Sequence, residues 1–245
     1  MDLYLKDKVA LVTGAGSQIG YGNRIATLLA EEGCDVAAAD IDLDGAKKTA
    51  AAIKKLGRRG LAVKVDVTRQ AEVDAMVAGV IKEFGKIDIL VNNAGASSAL
   101  RPFLEMTDED WSFDIGVNLL GQMRVARAVL PHMIARKYGR IVNTSGGQGI
   151  PNISIYGAAK AGVVMFTQAL AREVASKGVI VNAVGPGLGK TGLVYRAPQE
   201  FLEGEKQRSQ LKRLCTPEDV APVVAFLASD RCSYMVGQTM QLSTA

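Results

Sequence analysis

Seven short runs rich in apolar residues alternate with amphipathic helical stretches from end to end, and this alternation restricts the fold more than any other feature. The runs cover residues 9–12, 36–39, 61–65, 87–91, 140–143, 179–184 and 239–242. Several are almost uninterrupted in apolar residues, as expected of parallel strands covered on both faces. Between them, residues 24–32, 44–56 and 72–84 carry a helical period. The last of these stops at Gly85, and a helix carrying Tyr156 stops at Gly178 after Lys177, both ordinary helix-stop chemistry. Repeated βα units of this length require crossover helices. The predicted fold is therefore α/β: a doubly wound, seven-stranded, mostly parallel sheet with helices on both faces.

No linker, repeat or low-complexity tract divides the 245 residues, so one domain spanning 1–245 is expected. The one irregular region, 185–216, is polar and charged and contains Pro186 and Pro198; a stretch this long without strand character reads as a substrate lid at about 188–215. Charge excludes little but is informative. The formal net charge is +4 with both signs interspersed, and the densest basic stretch, Lys54 to Arg59, reads as a helix end plus a turn. No basic stripe with interleaved aromatics suggests nucleic-acid binding. Three cysteines (Cys34, Cys215, Cys232) lack metal or redox spacing, and a single histidine, His132, excludes a multi-histidine metal site. No apolar run reaches the roughly 18 residues of a membrane span, and residues 1–6 lack a signal-peptide core. A soluble cytoplasmic protein that binds no metal is expected.

Three motifs carry chemistry. The first strand leads into Thr13-Gly14-Ala15-Gly16-Ser17-Gln18-Ile19-Gly20-Tyr21-Gly22 and then a helical pattern. Glycines at such a place let backbone approach a pyrophosphate at a helix N-terminus. Asp40 ends the second strand, where a carboxylate accepts hydrogen bonds from an adenosine ribose. It would repel a 2′-phosphate, and neither Ile41 beside it nor Ser17 and Gln18 in the turn offers a cation, so NAD is expected rather than NADP. Tyr156 and Lys160, four residues apart, share one helix face. A nearby ammonium favours phenolate and moves a tyrosine toward the working range of proton transfer.

Together these pieces resemble the short-chain dehydrogenase/reductase (SDR) family along nearly the whole chain. The matching residues are the Thr13-Gly14 turn, Asp66-Val67 after the third strand, Asn92-Asn93-Ala94-Gly95 after the fourth, Asn118 in Val-Asn-Leu, Tyr156 with Lys160, and Pro186-Gly187 followed by Thr191. The resemblance implies a Rossmann-type NAD(P)-binding domain in which Tyr156 is the general acid/base, Lys160 lowers its pKa and binds the nicotinamide ribose, and Asn118 holds a relay water. It further implies that Gly14, Ser17, Gln18, Ile19, Gly20 and Gly22 hold the pyrophosphate end. Asp66 and Val67 would contact adenine, Asn93, Ala94 and Gly95 would line the adenosine and ribose, and Pro186, Gly187 and Thr191 would meet the nicotinamide.

The chain departs from the family pattern in three places. Gly20-Tyr21-Gly22 fits the final glycine pair only with about two extra residues in the turn, the helix then beginning at Asn23-Arg24-Ile25-Ala26; alternatively Gly20 is the last glycine and Gln18 replaces one. The usual active-site serine position falls on Gly146, leaving Ser145 as the candidate and Thr144 as a weaker one. The C-terminal Leu242-Ser243-Thr244-Ala245 replaces the acidic residue and two glycines that many relatives carry.

The expected activity is interconversion of a secondary alcohol and a ketone by hydride transfer. The substrate is open between a 3-oxoacyl thioester and a sugar or cyclic alcohol. Walls are expected from 96–103, 147–155 and 188–202, with Tyr195, Phe201 and Leu202 covering an apolar ligand, or Arg196, Lys206, Arg208, Lys212 and Arg213 attracting an anionic one. A noncatalytic nucleotide-binding subunit is the competing reading. In relatives the helix at Tyr156 and the long helix before the fifth strand pair between subunits, which implies a homotetramer, with a homodimer as alternative.

Overall fold

The computed structural model describes residues 2–98, 100–146, 149–189 and 199–242. Strands β1 (Val9–Thr13), β2 (Asp35–Asp40), β3 (Gly60–Lys64), β4 (Ile89–Asn92), β5 (Gly139–Thr144), β6 (Val179–Pro186) and β7 (Thr239–Leu242) form one sheet in the order β3-β2-β1-β4-β5-β6-β7. Every neighbouring pair is parallel, so the expectation of a mostly parallel sheet becomes a fully parallel one.

Period-2 alternation along the strands feeds two cores. Ala10, Val12, Val36, Ala38, Ile89 and Val91 point to one face, where α1 (Tyr21–Glu31), α2 (Leu43–Lys55) and α8 (Pro217–Leu227) bring Ile25, Leu29, Ile53 and Val224. Leu11, Ala37, Ala39, Leu90 and Ile141 point to the other, against α3 (Gln70–Phe84), α5 (Gly121–Ala135) and α6 (Ser154–Val174). That is the doubly wound arrangement the apolar runs predict.

Helix ends follow local chemistry. Asp42 caps α2 by accepting from Asp44 N and Gly45 N, and Gly85 and Gly178 take positive φ (81° and 84°) where helical segments stop. Two expectations are corrected. Helix α1 begins at Tyr21, with Gly20 as its cap residue, rather than at Asn23. The region 185–216 is not uniformly irregular, because Gln199–Arg208 form a helix, α7. Its only buried residue is Leu202, so the apolar period that marks a helix in sequence is nearly absent there.

The chain reverses its winding between β1 and β4, and the crevice at the carboxyl ends of the strands there is where open α/β sheets bind ligands.

Candidate active site

The carboxyl ends of β1 to β6 open into one cavity of about 840 Å³, lined at one end by Asp40, Asp66 and Val67 and at the other by Tyr156, Lys160 and Pro186. This volume is in the roughly 300–1,000 Å³ range of small-molecule and cofactor sites.

Its floor is built where β1 and β4 end. Thr13 Oγ1 accepts the N–H groups of Asn93 and Ala94, each at 3.1 Å, and Asn93 Nδ2 donates to Thr13 O and Gly14 O at 3.1 and 3.0 Å. Gly14 has φ +68°, and a Cβ there would lie 2.7 Å from Ala94 Cα, so only glycine permits this approach. A Cβ on Gly22 would collide with Gly14 O. Gly22 is thus a packing glycine beneath the turn, and it does not line the cavity.

The segment Ser17–Gly20 of the turn is tied down locally. Ser17 and Gly20 close a turn through Gly20 N–H to Ser17 O at 3.0 Å, and both face the cavity. Gln18 instead turns toward α2: its Nε2 donates to Gly16 O (2.7 Å), Gly45 O (3.2 Å) and Thr49 Oγ1 (3.2 Å). Ile19 is half exposed, and neither it nor Gln18 lines the cavity. The N-terminus of α1 carries no acidic residue in its first turn, which leaves its positive dipole end free for an anion.

Asp40 ends β2 with both oxygens engaged by backbone: Oδ2 accepts Gly16 N–H at 2.7 Å and Oδ1 accepts Asp42 N–H at 2.9 Å. Its carboxylate thereby braces the glycine turn while lining the cavity. Asp66 Oδ1 accepts the N–H and hydroxyl of Thr68 at 2.9 and 2.7 Å. Acceptors at this end, a helix N-terminus in the middle and the Tyr156–Lys160 pair at the far end form a donor and acceptor set that fits a dinucleotide.

Tyr156 and Lys160 sit on one face of α6, with Lys160 Nζ 5.6 Å from the Tyr156 ring centroid. Lys160 Nζ donates to Thr144 O at 3.0 Å. Burial pushes its pKa down from 10.5 to about 8, and burial followed by the charge of Asp114 pushes the Tyr156 phenol up. Desolvation therefore opposes the expected lowering of the tyrosine.

Asn118 lies in a π-helical turn, Gly116–Leu120, between α4 (Asp108–Ile115) and α5, a distortion frequent at functional sites. Its Nδ2 donates to Ala96 O (2.6 Å) and Asp114 O (2.9 Å), and its Oδ1 accepts Ala96 N–H at 3.2 Å. The Asn118 main-chain carbonyl accepts Gln122 Nε2 at 3.1 Å. The side chain is a clamp on the loop after β4. Gly95 leaves room beside it: a Cβ there would sit 2.9 Å from Asn118 Oδ1 and 3.3 Å from Lys160 Nζ.

Ser145 lines the cavity, but its hydroxyl points to β6, 3.4 Å from Val184 O. The next residue, Gly146, has φ +97°, and a Cβ there would be 2.6 Å from Pro186 O. Backbone geometry thus bars a serine at position 146. Pro186 and Gly187 line the cavity; Thr191, Tyr195 and Arg196 lie outside the described residues. His132 sits at the opposite ends of the strands from the cavity, accepting Ile87 N–H before β4.

Sequence reasoning passed over three residues that shape this site. Tyr21 opens α1 and spans the cavity to donate to Gly187 O at 3.3 Å. Gln122 Nε2 donates to Thr144 O at 2.9 Å, beneath Lys160. Asp114 is fully buried behind the loop that follows β4. Only Asp114 left a signal, a carboxylate one helical turn before Asn118 in an otherwise apolar stretch. Among the described residues no cluster of three metal-ligating side chains occurs, and no helix is long and apolar enough to cross a membrane.

Residues 14–243 match the family model described as enoyl-(acyl carrier protein) reductase. The chain is 40% identical to the 3-oxoacyl-(acyl-carrier-protein) reductase FabG of Thermotoga maritima, over 96% of each chain. It is 41% identical to the cis-4-hydroxycyclohexanecarboxylate dehydrogenase of Sinomonas cyclohexanicum, over 94% of this chain and 93% of that one. The structure superposes on NAD+-bound xylitol dehydrogenase with a TM-score of 0.92 at 30% identity, covering 99% of this chain and 100% of that one.

Proposed function

The chain belongs to the short-chain dehydrogenase/reductase family of oxidoreductases, and from that premise we propose that it uses NAD to interconvert a secondary alcohol and a ketone, with Tyr156 as general acid/base. The observation that carries this reading is the presence of half-buried Tyr156 and buried Lys160 on one helix face, at the end of the cavity opposite Asp40.

The nicotinamide, when bound, supplies the hydride acceptor or donor. The chain's own residues do the rest. Tyr156 takes the alcohol proton as the carbon gives up hydride, so both must face the same carbon. Lys160, with a pKa of about 8, is mostly ammonium near neutrality and favours phenolate by its charge. Burial makes the phenol a poor base, so proton transfer depends on the positive charge that Lys160 holds beside it. Asp40 orients the adenosine ribose and disfavours a 2′-phosphate, which supports NAD over NADP. The positions of Ser17, Gly20, Asp66, Val67, Asn93, Ala94, Gly95, Pro186 and Gly187 along the cavity are consistent with their expected contacts to the dinucleotide. Gln18, Ile19 and Gly22 act indirectly, by shaping the turn.

Beyond Tyr156 the wall is apolar, with Phe113, Val117, Ile150 and Ile153. This favours a cyclic or otherwise apolar alcohol over an open-chain sugar. Exposed Trp111, Leu120 and Met165 on α4, the π turn and α6 support a subunit interface, in a cytoplasmic homotetramer or, alternatively, a homodimer.

The test is calorimetric titration with NADH and NADPH, followed by a panel of cyclohexanol, a 3-hydroxyacyl thioester and xylitol monitored for NADH production. NADH binding tighter than NADPH with turnover of cyclohexanol is the expected result. Binding without turnover of any alcohol would favour the noncatalytic reading.

A further inference from the structure

Asp114 lies on α4, one turn before Asn118, and none of its surface is exposed. Its Oδ1 accepts the Ser98 N–H at 2.8 Å, and its main-chain carbonyl accepts Asn118 Nδ2 at 2.9 Å. Since Asn118 pairs with both the N–H and the C=O of Ala96, the two side chains together clamp residues 96–98, part of the wall beside Tyr156. One bond in this clamp is missing. Asp114 Oδ2 and Ser98 Oγ are both buried and form no well-aligned hydrogen bond, although the Ser98 hydroxyl lies close to the carboxyl groups of both Asp114 and Asp110.

A buried carboxylate with an uncommitted oxygen is costly unless a cation or further donors face it. The groups around Asp114 do not supply them. Asp110, one turn earlier on α4, is itself acidic and takes the nearby cation, Arg101, at 3.4 Å. Helix α6 packs on α4 and presents Tyr156, whose phenol feels the Asp114 charge. Among the described residues no cation pairs with Asp114. Burial first, and Asp110 with it, hold its carboxyl above the ordinary range, against the Ser98 N–H bond and the nearby Ser98 hydroxyl. A proton on Oδ2 removes the charge and makes a donor that Ser98 Oγ, close by, is able to accept.

We propose that Asp114 is a positioning residue for proton exchange at Tyr156: a proton-holding carboxyl that braces the 96–98 wall through Oδ1 and whose ionisation is coupled to that of the phenol. This rests on Tyr156 being the acid/base of the reaction. While Asp114 keeps its proton no negative charge opposes the phenolate; once it ionises, the two groups titrate as a pair and the phenol loses its proton at higher pH.

The test is the pH profile of kcat for NAD-dependent oxidation of cyclohexanol. Asp114→Asn keeps an acceptor for Ser98 N–H and removes the charge. The pH of half-maximal kcat should fall by about one unit, a modest outcome for a like charge on a packed neighbouring helix at an effective dielectric constant of about 20, with KM for NAD unchanged. Asp114→Ala should show the same shift and also raise KM for the alcohol several-fold, because the wall loses its brace. An unshifted profile in Asp114→Asn with normal wild-type turnover overturns the role of Asp114 alone. Absence of wild-type turnover overturns the reading of Tyr156, and this role with it. Should the variants fail to fold, carbon-13 NMR of carboxyl-labelled aspartates in the wild-type protein decides. One carboxyl titrating above all other aspartates supports the proposal, and its absence refutes it.

Discussion

Lys160 Nζ donates to the main-chain carbonyl of Thr144 at 3.0 Å, and this is its one anchor to the strand beneath the cavity. The lysine is 2% exposed, no acidic partner forms an ion pair with it among the described residues, and burial depresses its pKa to about 8. A base with a depressed folded pKa leaves the unfolded chain holding more protons between about 8 and 10.5, so its contribution to stability rises with pH through that window. Below pH 8 the penalty is fully present, on the order of 3 kcal/mol. Lys160→Met should therefore gain most stability relative to wild type at pH 7 and lose that advantage by pH 10.5. Urea unfolding of both proteins across this range measures it. Half-buried Tyr21 and Tyr138 and buried Cys34 titrate in the opposite sense, but they are common to both chains and cancel in the difference.

Asp40 has two functions that substitution separates. Asp40→Asn keeps an acceptor for Gly16 N–H and removes the charge. NADPH affinity should rise about tenfold as repulsion of the 2′-phosphate disappears, worth about 1.4 kcal/mol, with the fold unaffected. Asp40→Ala also frees Gly16 N–H and Asp42 N–H, and should cost a further 1 kcal/mol or so of stability. Calorimetry with both cofactors and thermal melting check the pair.

Two helical glycines predict opposite outcomes. Gly22 in α1 is pressed against Gly14 O, whereas a Cβ on Gly79 in α3 meets nothing within 4 Å. Gly79→Ala should stabilise the protein by about 0.5–1 kcal/mol through helix propensity. Gly22→Ala should destabilise it by about 1–3 kcal/mol and weaken NADH binding, since the phosphate turn must move. Denaturant midpoints and NADH titration distinguish the two.

The architecture was legible because burial on both faces forces near-continuous apolar strands, as in Val36–Ala39 and Val179–Val184, and because Gly85 and Gly178 end helical segments by a mechanism visible in the residue type alone. Boundaries moved where local packing decides them. Tyr21 opens α1, and its hydroxyl reaches Gly187 O across the cavity, a contact 166 residues away that no local pattern encodes. Helix α7 escaped notice because it buries Leu202 alone.

At the site, Asp40, Tyr156 and Lys160 announce themselves by residue type and spacing. The motif alone presents Gln18 and Gly22 as cofactor contacts, because glycine-turn motifs do not distinguish residues that face a ligand from those that hold the turn. The structure separates them, Gln18 bonding to Gly45 O and Thr49 Oγ1 and Gly22 packing on Gly14 O. Asp114 and Gln122 were missed for a related reason. Their importance lies in partners, Ser98 and Thr144, that only the folded chain brings to them.

The account depends most on the phenol of Tyr156, and Tyr156→Phe tests it directly by comparing cyclohexanol oxidation and NADH binding in one preparation. The prediction is a loss in kcat of at least about a hundredfold with NADH affinity unchanged. A variant that binds NADH normally and still oxidises the alcohol at close to the wild-type rate would contradict it.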